Sequence, residues 1–223
     1  MTFDPILLLA MWAAGLAASA AVVAWWDIVG RGYLWLTGAT AVVIGLATAF
    51  DSNLGIVGVV AGLAAIALAG RRVPSAGLFA IAAIGFLTVA AGRDGWGSAI
   101  TGSVALGGIT AEMMLGHWFL IDPRLPRWAL RRLDVAGGLG VVGEVVVAGV
   151  RGTLRAPTDL FGFAYLLLAL TTILVAVGVW YSLREKGYEG VMAATGLSYL
   201  ATLTVLAVAF LGRAPVEEFL GLT

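Results

Sequence analysis

Residues 5–26 read PILLLAMWAAGLAASAAVVAWW, twenty-two positions without a charge. At about 1.5 Å of rise per residue such a helix is about 33 Å long. The hydrocarbon core of a bilayer is about 30 Å thick. The stretch therefore reads as a membrane-spanning helix. The residues ahead of it, Met1 to Asp4, lack the basic lead of a signal peptide, so it is expected to be a retained first helix and not a cleaved leader.

The same pattern recurs along the chain. Apolar runs are separated by short clusters of charge, Gly and Pro. Spans are predicted at about 5–26, 33–50, 54–70, 75–92, 98–121, 133–150, 158–182 and 189–212. The third is the weakest, since about 17 residues only just cross the core. The expected fold is an all-α, polytopic transmembrane bundle of about eight helices in one membrane domain over 1–223, with no soluble domain. Two parallel four-helix halves are conceivable, without a persuasive sequence repeat.

Composition agrees. Of 223 residues, 61% are hydrophobic and 12% charged, with a mean hydropathy of +1.02. Soluble domains carry about a quarter charged residues. The net charge is zero, which gives nucleic acid no electrostatic footprint. There is no cysteine and one histidine. Disulfides, thiol chemistry, iron–sulfur clusters, cysteine–zinc sites and a bis-histidine haem within one chain are excluded. No nucleotide, hydrolase or zinc-protease fingerprint occurs in a confirming context.

Basic residues are asymmetric. Arg31, Arg71, Arg72, Arg124, Arg127, Arg131, Arg132, Arg184 and Lys186 fall in alternate loops on one side, nine in all; Arg93, Arg151, Arg155 and Arg213 fall on the other. The positive-inside bias puts the nine in the cytoplasm and both termini outside, in a cell (inner) membrane. Trp25, Trp26, Trp180 and Tyr181 suit an aromatic belt on the cytoplasmic side. Asp51 and Asp94 are expected to cap outer helix ends or line an outer vestibule, and Pro215 to Gly221 to form a short external tail.

Two acids, Glu112 and Glu144, sit deep in the fifth and sixth spans. Charge there is costly and is usually retained for function. Counted from the predicted cytoplasmic ends, Glu112 lies about 13 Å deep and Glu144 about 16 Å. Each falls in a stripe of small residues, Gly108 and Gly116 for the first, Ala136, Gly140 and Ala148 for the second. If the stripes face each other, the carboxyls come close enough to share a proton. They are thus the candidates for a proton- or cation-binding site. The plain alternative is structural hydrogen bonding, with Thr101, Ser103 and Thr110 as partners on the same helix.

His117 is a candidate quinone or haem contact or proton relay, and equally a helix-end residue beside Trp118. It is about 140° around the helix from Glu112. Arg124, Arg127, Trp128, Arg131 and Arg132 follow two prolines and alternate with apolar residues. They are expected to form a short interfacial helix touching anionic lipids. The leading functional expectation is a proton- or cation-coupled small transporter, or a transporter-like subunit. The alternatives are a quinone- or haem-binding subunit of a redox complex and a non-catalytic scaffold. A homo-oligomer or a larger membrane complex fits any of them, and a lipid-acting membrane enzyme ranks last.

Overall fold

A computed structural model describes residues 4–152 and 160–213, the side chain of Phe161 excepted. The expectations on Arg155, the start of the seventh span and the tail from Pro215 lie outside the described residues. Among the described residues eight helices run in chain order: α1 Pro5–Trp26, α2 Arg31–Ala49, α3 Asn53–Ala67, α4 Arg72–Asp94, α5 Trp96–Phe119, α6 Arg127–Arg151, α7 Leu160–Ser182 and α8 Tyr188–Leu211. No strand occurs among the described residues. Seven helices are long and apolar enough to cross a bilayer, and the protein is a polytopic membrane protein of bundle type. The exception is α3, whose 15 residues reach about 22 Å.

Local chemistry sets the helix ends. Asp4 accepts from the backbone N–H of Ile6 and Leu7, with Pro5 in the first turn of α1. Asp27 closes α1 in the left-handed conformation at φ 55°. Ser52 caps α3 by accepting from Gly55 N–H. Gly95 alone separates α4 from α5 at φ 77° and ψ 158°, a backbone region essentially reserved for glycine.

α6 departs from the expectation in a useful way. The segment after Pro126 is no separate interfacial helix: Pro126 is the N-cap, and Arg127 to Arg132 are the first turns of α6 itself. Arginine and leucine are good helix formers, and proline terminates nothing when it stands just ahead of a helix. At 25 residues, α6 is about 37 Å long and outruns the hydrocarbon core, leaving its basic turns at headgroup level.

The helices pack as two lobes of the same topology. In the first, α1 packs on α2 and α4, and α3 on α2 and α4. In the second, α5 packs on α6 and α8, and α7 on α6 and α8. Replacing α1–α4 by α5–α8 in order maps one set of neighbours onto the other. The lobes meet mainly through their first helices, α1 against α5. They come close at Gly15 and Gly107: a Cβ on Gly107 would lie 2.1 Å from the Gly15 carbonyl carbon. Ser19 adds a hydrogen bond to the Gly107 carbonyl (3.4 Å). Without a hydrophobic driving force between helices in lipid, such close backbone approach is what holds them.

Each face of the bundle is tied by charge. On the terminal face, Arg93 of α4 pairs with both Asp4 and Asp51. On the arginine-rich face, Arg72 stacks over Trp25, Arg132 over Trp26 and Trp128, and Arg184 over Trp180. Arg127 clamps the α7–α8 loop, donating to the carbonyls of Glu185, Lys186 and Gly187. Arg127→Ala is expected to free that loop. Amides at 183–187 should exchange with solvent about tenfold faster, the equivalent of about 1.4 kcal/mol, with α1–α4 unaffected.

Candidate functional site

Glu112 and Glu144 do not meet. The register of α5 on α6 follows from their glycine contacts. Gly143 packs on Thr101, Gly140 on Ala105 and Gly137 on Ile109 and Gly108. Glu144 is therefore level with Thr101, and Glu112 with Leu133 and Asp134. Thr101 and Glu112 are eleven residues apart on α5, so the two acids stand about 16 Å apart along the bundle. Two causes combine. α6 starts at Arg127 and not at 133, which moves Glu144 toward the far face. A four-residue stripe also turns 40° per step on a 3.6-residue helix. Gly108 accordingly faces Gly137 of α6, whereas Gly116 faces Thr195 of α8.

Glu144 belongs to an ionic chain at the terminal face. Arg213 grips it with two nitrogens, Nη1 to Oε2 at 2.7 Å and Nη2 to Oε1 at 3.1 Å. Thr101 donates to Oε1. Arg213 Nε reaches Asp94 Oδ2 (3.2 Å), Nη2 reaches Ser98 Oγ (2.7 Å), and Arg151 pairs with the other oxygen of Asp94. Side-chain exposure is 7% for Arg213 and 5% for Glu144. Burial works against the charged form of Arg213, but Glu144 and Asp94 hold its pKa above the ordinary value. Two cations and two carboxylates alternate and cancel. In the sequence Arg213 reads only as a loop charge; its place just past an apolar span is the signal of its role.

Glu112 is set differently. It is 2% exposed, between α5 and α8, at the seam of the two lobes. Its Oε2 lies within hydrogen-bonding reach of Ser198 Oγ, while its Oε1 has no partner among the described residues. No arginine or lysine pairs with it among those residues. Ser198 Oγ is also 2.8 Å from the Ala194 carbonyl. A hydroxyl has one proton. Shared between the Ala194 carbonyl and Glu112 Oε2, that proton leaves the carboxyl without a full donor of its own.

The surroundings of Glu112 come from both lobes. Tyr33 of α2, fully buried, donates to the Ala111 carbonyl at 3.4 Å. Trp12 of α1 donates to Thr110 at 3.0 Å. Asp134 of α6, 5% exposed, is near enough to interact electrostatically with Glu112. Sequence reading missed Asp134, because a span predicted to start at 133 put it at the membrane edge. Ser198 and Tyr33 carried no local signal at all, being joined to Glu112 only through tertiary packing.

His117 does not share the face of Glu112: it is exposed, and its Nδ1 stands 3.4 Å from Tyr199 OH. Even so, Glu112 and His117 reach consecutive residues of α8, Ser198 and Tyr199. Of the five interface candidates, Arg127 is occupied by the α7–α8 loop, and Trp128 and Arg132 stack on each other. Arg124 is 93% exposed and pairs with Asp122 (3.1 Å), whose carboxyl this bond holds below the usual range. Arg131 lines a shallow cavity with Trp128, Arg132 and Trp180.

No protein-family model, curated protein or solved structure shows a significant match to this chain.

Proposed function

We propose that the protein is a proton-coupled membrane transporter, or the proton-handling subunit of one, with Glu112 as the proton carrier. The observation that carries this reading is the single hydroxyl of Ser198 placed between Glu112 and the Ala194 carbonyl. That one proton, shared between two acceptors, is the donor that reaches Glu112, and no cation pairs with the carboxyl among the described residues, which favours the acid form. An unpaired carboxylate so deep in a bundle is expensive, and intramembrane ionisable groups of this kind are typical of proton pathways.

The architecture supports it. Parallel repeats related by an axis along the membrane normal are one of the plans on which transporters are built, with the site at the repeat interface. Glu112 stands at such an interface. Asp134 stands at the level of Glu112, and the His117–Tyr199 pair lies on the side toward the arginine-rich face; together they offer a way for a proton to that face. In this reading that face is cytoplasmic and both termini are outside. Glu144, neutralised by Arg213, is an anchor and carries no proton.

Everted vesicles containing the protein, with an imposed pH gradient reported by a trapped dye, test the reading. They are challenged in turn with monovalent cations, small organic cations and small organic anions. At least one class is expected to collapse the gradient. Glu112→Gln is expected to reduce that rate at least tenfold at equal protein content. A collapse that persists unchanged in Glu112→Gln contradicts the proposal.

A further inference from the structure

The seam between the lobes has two sides. One holds Glu112 and is closed by Trp12, Tyr33 and Ser198. The lobe correspondence that maps α1, α4, α5 and α6 onto α5, α8, α1 and α2 relates it to the opposite side, where α1, α4, α5 and α6 enclose an open groove of about 600 Å³. That volume lies within the range of ligand sites. Its walls are small and apolar, with Ala14, Ala18, Ala80 and Ala83 among them. Ser103 Oγ, buried and without a partner among the described residues, faces the same groove, so the protein does not complete the packing there.

The groove is not apolar throughout. Trp26 and Arg132 line it at the arginine-rich face. The Arg132 guanidinium lies 4.7 Å from the Trp128 ring centroid and 6.0 Å from that of Trp26. Arg93, Arg124, Arg151 and Arg213 each pair with a carboxylate; Arg132 has none among the described residues. A guanidinium beside two indole rings and without a carboxylate partner among the described residues keeps donors for the two-pronged recognition of phosphate. From Trp26 to Ala14 the groove follows α1 for twelve residues, about 18 Å. One leaflet of the hydrocarbon core is about 15 Å deep.

We propose that this groove is a binding site for one anionic phospholipid drawn from the bilayer, its acyl chain lying along α1 and its phosphate on Arg132. The length of the groove matches one leaflet, and the one charged residue lining it, among the described residues, is Arg132 at the arginine-rich face. The site goes beyond the proton-carrier reading and uses the other side of the seam, so either can fail without the other.

Native mass spectrometry of the delipidated, full-length protein titrated with phosphatidylglycerol or phosphatidylcholine tests it. One phosphatidylglycerol is expected to bind at least tenfold more tightly than phosphatidylcholine. Arg132→Gln should remove that preference, while Arg124→Gln keeps it. Ala18→Phe, an exposed groove position, should weaken both lipids at least tenfold; Ala80→Phe, also exposed, repeats the test should Ala18→Phe lose helicity. Equal binding of the two lipids by the wild type would overturn the proposal, as would groove-filling variants that bind unchanged. Displacement of phosphatidylglycerol by an uncharged amphiphile such as a quinone at equal concentration would overturn it too.

Discussion

Arg213→Ala is expected to destabilise the protein by about 3–5 kcal/mol, the cost of leaving one member of a buried ion pair without its partner. Glu144 would keep Thr101 as a hydrogen-bond donor but lose both guanidinium contacts, and no other cation reaches it among the described residues. Asp94 would suffer less, because Arg151 holds its other oxygen. The measurement is unfolding of the purified protein in mixed micelles by a denaturing detergent. Glu144→Leu combined with Arg213→Leu should recover most of the loss, since replacing a buried pair by apolar residues is often close to neutral. A loss below about 1 kcal/mol in Arg213→Ala, the level of an exposed pair, would show that water reaches the cluster.

Gly107→Leu is expected to be worse. Any Cβ at this position meets the Gly15 backbone at 2.1–2.4 Å, and a Cβ on Gly15 would meet the Ser103 carbonyl oxygen at 1.9 Å. Neither obstacle can rotate away, since both are main chain. The α1–α5 seam must open, and with it go the Ser19–Gly107 and Trp12–Thr110 bonds. Overpacking of ordinary cores costs about 1–3 kcal/mol. A clash with backbone on both sides should exceed that range and separate the lobes. Gly138→Leu and Gly196→Leu serve as controls: nothing lies within 4 Å of a Cβ at either, so each should stay within about 0.5 kcal/mol of the wild type. Monodispersity by size-exclusion chromatography and detergent unfolding would separate the two classes.

The helices were legible in the sequence because bilayer thickness is a ruler. An apolar run of about twenty residues has little choice, and the predicted and observed helix ends agree to within a few residues everywhere except α6. A loop reading of Pro126, Arg127, Arg131 and Arg132 cuts that helix short, whereas they are its cap and its first turns. The error then spread to the site. It set Glu144 at the depth of Glu112, and it hid Asp134 at an apparent membrane edge.

The candidate site was half legible. An acid inside an apolar span announces itself, so Glu112 and Glu144 could both be picked out. Their partners could not. Which residue of α8 faces Glu112 depends on a register that no local pattern encodes, and Arg213 sits past the end of α8 where a basic residue is unremarkable. The structure thus divides two acids that the sequence treated as a pair. One is locked in an ionic chain at the terminal face, and the other stands alone at the seam between two like-built lobes.

The protonation of Glu112 is the most direct test of that division. Infrared spectra of the protein in lipid bilayers at neutral pH resolve the carbonyl band of a protonated carboxyl, identified by its shift in deuterated water. The account predicts such a band in the wild type, its loss or marked weakening in Glu112→Gln, and its persistence in Glu144→Gln. A band that is unaltered in Glu112→Gln but vanishes in Glu144→Gln would contradict it.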